Sequence, residues 1–342
     1  MDPLLQELLT VPGAPGYETL VRALVEARLP SGIARSVDAM GNVVATLGDG
    51  EPSTMFVAHM DEIGFIVSEV RADGFLRLKP LGGVDPRTII GRLLRVVTEK
   101  GQLLGAVTVR PPHLMRDPAA EMKDVPPVTE LYVDIGAKNR ADAEAMGVRI
   151  LDFAVYEKEP RILNGRLVCS RALDDRAGCW VLLKALAELQ RRPPPRGRVH
   201  FAFSVQEEVG LRGAALLARK HALDWAFAVD SVSAGDFPGL TPDQGPARLG
   251  EGSCLRVLDN ATIIPPELWK EVAEVARAAG IRLQVVFSGG GTDAKPFQAE
   301  GPRVVSLSFP LRYTHSAVEL AHEDDLLETV KLVVALARHY GR

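Results

Sequence analysis

Cysteine is scarce in this chain: three residues in 342, Cys169, Cys179 and Cys254, odd in number and without CxxC spacing. That excludes a disulfide scaffold and a thiolate metal cluster, and a cytoplasmic setting with reduced, mostly buried thiols is expected. Charge of one sign is missing too, since 40 basic and 44 acidic residues leave only −4. Neither nucleic acid nor a membrane surface is therefore an expected partner. No apolar run approaches the ~20 residues that span a bilayer. The opening MDPLLQELLT carries an acid where a secretory leader carries Lys or Arg, so secretion is not expected. Internal repeats are lacking, as is low complexity beyond the short RRPPPRGR at 191–198.

What is present is a texture in two parts. Over 1–66 and 162–342, short Val/Ala/Phe-rich runs at 54–58, 199–205, 227–229 and 304–309 read as strands. They alternate with helical stretches at 178–190, 211–221, 266–279 and 324–340, the first closed by Pro193-Pro194-Pro195. The alternation predicts an α/β domain with a central sheet flanked on both faces by helices. Over 67–161 the texture changes. One hairpin is expected to turn at Asp73-Gly74 and another at Lys100-Gly101, with short helices near 111–127 and at 140–146. This predicts a small β-rich domain inserted into the first, so that the two outer segments meet again in space.

Acids and imidazoles stand after the strand-like runs. They are His59 and Asp61 in VAHMDEIG, Asp174 and Asp175 in ALDDRAG, Glu207 and Glu208 in SVQEEVG, Asp230 in AVDSV, and His315 in RYTHSAVE. Such groups are costly to bury unless paired, and a pair of divalent cations would pair with all of them. His59 and Asp61, two apart at a strand end, share a face. One reading makes His59 a ligand oriented by Asp61; the other makes them a core histidine and a capping acid. A helix N-terminus favours an acid by roughly 0.3–1 kcal/mol, which accounts for only one of Asp174 and Asp175. The other is free to bridge two cations. Glu207 and Glu208, adjacent at a corner, point in different directions. One can bind a metal while its neighbour takes the proton of an activated water. Asp230 and His315 suit a further ligand set for Zn²⁺, Co²⁺ or Mn²⁺, and strand C-termini are where open α/β sheets place their sites.

Ser288-Gly289-Gly290-Gly291-Thr292-Asp293 lacks the GK[ST] ending of a phosphate loop, so its glycines are expected to admit substrate or another strand. His113 reads as structural or interfacial. His200, His221, His322 and His339 stand at strand or helix ends.

The motifs AHMDEIGF (58–65), ALDDRAGC (172–179), QEEVGLRGA (206–214), AVDSVSAGDFPG (228–239), GGTDA (290–294) and YTHSAVE (313–319) follow one another in a familiar order. In this the chain resembles the tetrahedral aminopeptidases, a family of co-catalytic dinuclear metallopeptidases that includes leucyl, glutamyl, lysyl and deblocking aminopeptidases. The resemblance covers essentially the whole chain. It implies a zinc-exopeptidase-like catalytic domain with an inserted β-barrel-like dimerisation domain, and homo-oligomers that assemble as tetrahedral dodecamers. It implies two divalent ions, Zn²⁺ or Co²⁺, with Asp174 bridging, His59 and Asp230 completing one site and Glu208 and His315 the other. Glu207 would be the general base and Asp61 would support His59, in a reaction that removes the N-terminal residue from short peptides. Ala317 replaces a frequent Pro and LDFA (151–154) a frequent Gly-Asp pair, which bears on loop shape and oligomer contacts. The competing functions are a metal-dependent deacylase or aminoacylase and a catalytically inactive assembly scaffold. An endoglucanase is disfavoured, because the acids read as metal ligands rather than as an acid and a nucleophile.

Overall fold

The computed structural model describes every residue except Pro195, Pro242 and Arg342. Pro195, the last of the three prolines expected to close a helix, thus lies outside the described residues.

The strands fall in chain order as β1 (Ala34–Val37), β2 (Val43–Leu47), β3 (Ser53–His59), β4 (Gly64–Val70), β5 (Leu76–Leu81), β6 (Leu93–Thr98), β7 (Gly101–Thr108), β8 (Tyr132–Asp134) and β9 (Phe153–Tyr156). They continue as β10 (Arg161–Leu163), β11 (Leu167–Ser170), β12 (Arg198–Ser204), β13 (Trp225–Ser233), β14 (Ser253–Leu258), β15 (Leu283–Phe287), β16 (Arg303–Leu311) and β17 (Glu319–His322). An eight-stranded mixed sheet runs in the order β1-β2-β12-β3-β13-β16-β14-β15. Its central strands β12, β3, β13 and β16 are mutually parallel. All seven residues of β3 are buried, as expected of a parallel strand covered on both faces.

Side chains divide between those faces with the strand period of two. Phe56 and Phe201 join a core with the helices Leu173–Arg191 and Glu323–Tyr340, while Met55, Val57 and Ala202 pack with Ala214, Leu217 and Phe297 of the helices Arg212–Lys220 and Ala294–Gln298. The sheet is therefore sandwiched by helices. The excursion between β3 and β10 closes into a barrel ordered β4-β5-β8-β7-β6-β9, antiparallel throughout and with its own core. Its first strand starts at Gly64, ahead of the texture change expected at 67, because Phe65 and Ile66 prolong the apolar character of β3. A small sheet β10-β11-β17 ties the barrel's return to the C-terminal segment. Among the described residues no helix is long and apolar enough to cross a membrane.

Candidate metal centre

Most of the chemically promising residues sit where a buried strand or helix hands over to a loop; Asp230 is the exception, because β13 continues past it to Ser233. His59 is the last residue of β3, Asp230 lies in β13, and Glu207 and Glu208 follow β12. His315 is on the loop between β16 and β17. Asp174 and Asp175 open the helix Leu173–Arg191 with non-helical backbone angles, which turns their carboxylates in different directions.

Asp174 occupies the middle. One of its carboxylate oxygens is 3.2 Å from His59 Nε2 and the other 3.8 Å from His315 Nε2. Glu208 stands 3.2 Å from His315 Nε2, while Glu207 and Asp230 stand 3.9 and 4.0 Å from His59 Nε2. Two potential donor sets result, His59–Asp174–Asp230 and Asp174–Glu208–His315, each with its donor atoms within 4.8 Å of one another. They share Asp174. A third grouping, His59–Glu207–Glu208, overlaps both. Carboxylate and imidazole donors of this kind suit a divalent transition metal, and an acid facing two histidines with its two oxygens has the geometry of a bridge.

The electrostatics point the same way. Burial would raise the Asp174 pKa, but His59 and His315 hold it down at about 2. Burial and the Asp174 charge push Asp230 up to about 7. Burial, with Asp230, Asp293 and Glu208, also drives Glu207 well above the usual carboxylate range. His315, which burial alone would make less basic, is raised to about 10 by Glu208 and Asp174. Carboxylates crowded together with so little positive charge form a site that favours cations.

The imidazoles are oriented through their other nitrogens. His59 Nδ1 is 3.1 Å from the Asp61 carbonyl oxygen and 3.6 Å from its carboxylate. His315 Nδ1 is 3.0 Å from the Gly83 carbonyl oxygen. In both, Nε2 is left to face the cluster. The Asp61 carboxylate has a further task that sequence reasoning missed: it accepts the backbone N–H groups of Glu207 and Glu208 at 3.0 and 3.1 Å.

Sequence reasoning left one of Asp174 and Asp175 at the helix N-terminus and passed over their neighbours Glu319, Asp293 and Arg176. Asp175 accepts the His59 and Gly178 N–H groups at 3.2 and 3.1 Å. Glu319 accepts those of Asp174 and His315 at 3.2 and 2.9 Å. Buried Asp293 accepts the Ser204 hydroxyl at 2.5 Å, and burial brings its pKa to about 6. Arg176, fully buried, donates to the carbonyls of Met60, Leu8, Val11 and Gly13 and pairs with Glu62, so the N-terminal segment braces the loop after His59. Their presence inside the quoted motifs was the signal available for Asp293, Glu319 and Arg176.

The cluster opens into a cavity of about 890 Å³, whose lining includes Gly289, Gly290, Gly291 and Lys295. The glycine run thus borders the space in front of the candidate ligands. The other histidines lie elsewhere: His200 contacts Thr46 within the sheet, His322 caps the last helix, and His113 is exposed on the barrel excursion.

Comparison with known proteins places this geometry in context. The M42 glutamyl aminopeptidase family model matches residues 41–332. The lysyl aminopeptidase of Pyrococcus furiosus is 36% identical, covering 97% of this chain and 95% of that protein. The glutamyl aminopeptidase of Lactococcus lactis subsp. cremoris is 34% identical, covering 96% and 93% respectively. The structure of the Pyrococcus horikoshii TET1 peptidase, which can assemble into a tetrahedron or a large octahedral shell, superposes with a TM-score of 0.91 at 40% identity and 98% coverage of each chain.

Proposed function

The chain belongs to the M42 glutamyl aminopeptidase family and is a metallo-aminopeptidase; from that premise we propose that it removes N-terminal residues from short peptides at a dinuclear centre. His59, Asp174 and Asp230 would hold one divalent ion, and Asp174, Glu208 and His315 the other, with Zn²⁺ or Co²⁺ as the natural occupants of such donors. The observation that carries this reading is the division of the Asp174 oxygens between His59 and His315. When bound, such an ion pair lowers the pKa of a water and polarises a carbonyl.

Glu207 is the general base. Its carboxylate lines the cavity, and burial raises its proton affinity, which favours taking a proton from water. It takes the proton of the attacking water as the new C–O bond forms, then delivers it to the departing amine as the C–N bond breaks. Asp61 holds the Glu207 backbone, and a free α-amine on the substrate finds acids in the same cavity to pair with. We propose that the β4–β9 barrel is a dimerisation domain, that 67–161 is the insertion and 1–66 with 162–342 the catalytic domain. Dimers would assemble into a dodecamer, as the tetrahedron of the Pyrococcus horikoshii relative suggests, and act in the cytoplasm.

The test is Glu207→Gln, assayed on a free-amine peptide and its N-acylated form after reloading with Zn²⁺ or Co²⁺. Turnover of the free-amine peptide should fall by about 10²–10⁴-fold with metal content preserved. Near-normal rates in the variant would refute the base assignment, and preference of the native enzyme for the acylated peptide would favour a deacylase.

A further inference from the structure

We propose that Glu319 is a positioning residue that sets the metal affinity of the Asp174–Glu208–His315 half of the centre, leaving the His59 half nearly untouched. The inference rests on the ligand set proposed above.

The starting point is an asymmetry between the two imidazoles. His59 ends a central strand whose seven residues pair with β12 in register, so its backbone is fixed by the sheet. His315 has no such support. It lies on a loop between β16 and β17 with φ of 63°, close to Tyr313 at φ 61°. Non-glycine residues adopt that left-handed conformation only when their surroundings impose it. Its side chain is also half-exposed, where that of His59 is 2% accessible.

Two hydrogen bonds hold His315 in this posture. Its ring Nδ1 meets the Gly83 carbonyl at 3.0 Å, and its backbone N–H donates to Glu319 Oε1 at 2.9 Å. The other oxygen of the same carboxylate accepts the Asp174 N–H at 3.2 Å. One buried carboxylate therefore fixes the spacing between the bridging acid and the loop imidazole. Glu319 itself begins β17, where its pairing with Ser170 of β11 anchors it to the small sheet. It is absent from every donor set in the cluster among the described residues. Its two oxygens are committed to backbone, so it acts through Asp174 and His315 rather than on an ion.

The same device recurs with different targets. Asp61 clamps the Glu207 and Glu208 backbones, and Asp175 clamps those of His59 and Gly178. Of the three clamps, those of Asp61 and Glu319 act on ligands held outside regular structure, and that of Glu319 joins the loop imidazole His315 to the bridging acid Asp174. Loss of a hydrogen-bonded partner behind a metal ligand typically weakens binding by about 10–100-fold. Here that loss falls mainly on the His315 site, because the His59 site keeps its strand, its Asp175 clamp and its Asp61 contact, while the shared Asp174 carboxylate keeps the Ser231 hydroxyl and the His59 ring.

The experiment compares the wild-type full-length enzyme with Glu319→Ala and Glu319→Gln, each stripped of metal and titrated with Co²⁺ by calorimetry and by visible absorption. The wild type should take two ions. In Glu319→Ala one ion should bind with wild-type affinity and the second about 10–100-fold more weakly. Gln retains one acceptor oxygen and the side-chain volume, so Glu319→Gln should fall between the two and remain folded if the alanine variant does not. Thermal melting of the metal-stripped proteins supplies the control, because a merely structural role would lower stability without splitting the two affinities. Equal weakening at both sites, or no weakening in either variant, would overturn the role of Glu319. Fewer than two ions in the wild type would instead overturn the ligand set on which it rests.

Discussion

Acid should destabilise this protein through His200, remote from the metal centre. His200 lies in β12 opposite Thr46, its Nδ1 2.9 Å from the Thr46 hydroxyl, and is 7% exposed. Burial, then the nearby His221 and Arg198, depress its pKa from 6.5 to about 4. In the unfolded chain the same imidazole titrates near its ordinary value of about 6.5. Between these two values the unfolded state binds a proton that the folded state refuses, so stability rises with pH across the window. The contribution is complete above about 6.5 and lost on descending toward 4. At about 1.4 kcal/mol per pH unit, acidification to about pH 4.5 costs roughly 2.5 kcal/mol. For 342 residues, an unfolding entropy of about 2.1 cal/mol/K per residue converts that to a melting shift of roughly 3–4 °C. The assay is the melting temperature of metal-stripped wild type and His200→Gln between about pH 7.5 and 4.5, where the amide does not titrate. Titrations at the metal centre are common to both proteins and cancel in the difference of slopes. Wild type should lose roughly 3–4 °C more than the variant; parallel profiles would refute the reasoning.

Arg176→Met removes the guanidinium that four backbone carbonyls and Glu62 share. It should cost about 3–5 kcal/mol, read from the urea midpoint, and an unchanged midpoint would deny the clamp. Gly213→Ala puts a methyl group 2.3 Å from Asn42 Oδ1 and 2.5 Å from the Val205 carbonyl, two atoms fixed within the sheet-to-loop corner. The expected loss is about 1–3 kcal/mol by the same measurement, and a neutral variant would mean that the corner yields freely. Chelation should lower the melting temperature of the wild type, and re-added Zn²⁺ or Co²⁺ should restore it, by about 2.7 kcal/mol per site at a hundredfold excess over Kd. Identical melts with and without chelator would argue against a cation site that is formed in the folded protein alone.

The legible parts of the fold are those where local sequence and tertiary role coincide. β3, β12, β13 and β16 are buried on both faces and so appear as largely apolar runs, and the barrel hairpins are punctuated by Asp73-Gly74 and Lys100-Gly101. The sheet's outer strands β1, β14 and β15 escaped notice because their burial is partial and their polar residues blur the period; β1 is exposed throughout. At the candidate site, residues facing the cavity stood out because a polar group after an apolar run is conspicuous. Glu319 did not, since its carboxylate is spent on backbone N–H groups, one of them 145 residues away, and Asp175 could not be told from Asp174 because its distant partner is the His59 N–H. A side chain's chemistry is written in its letter, whereas the backbone group that meets it depends on the whole fold.

That difference separates the members of the two acidic pairs, which composition cannot. Within Asp174-Asp175, Asp175 is spent on the N–H groups of His59 and Gly178, while Asp174 faces both imidazoles and accepts the Ser231 hydroxyl at 3.0 Å. Within Glu207-Glu208, Glu208 meets His315, while among the described residues the Glu207 carboxylate accepts no hydrogen bond and pairs only with the His59 ring at 3.9 Å. A buried carboxylate with so few partners is unstable as an anion unless a cation or a proton reaches it. Asp175 and Glu319, spent on backbone N–H groups, hold the loops, whereas Asp174, Glu207, Glu208 and Asp230 line the cavity, Asp230 accepting the Ser231 N–H as well. This division, rather than the number of acids, supports assigning metal binding to Asp174, Glu208 and Asp230 and proton transfer to Glu207. It also explains why a framework residue such as Glu319 can govern one half of the centre without touching its ion.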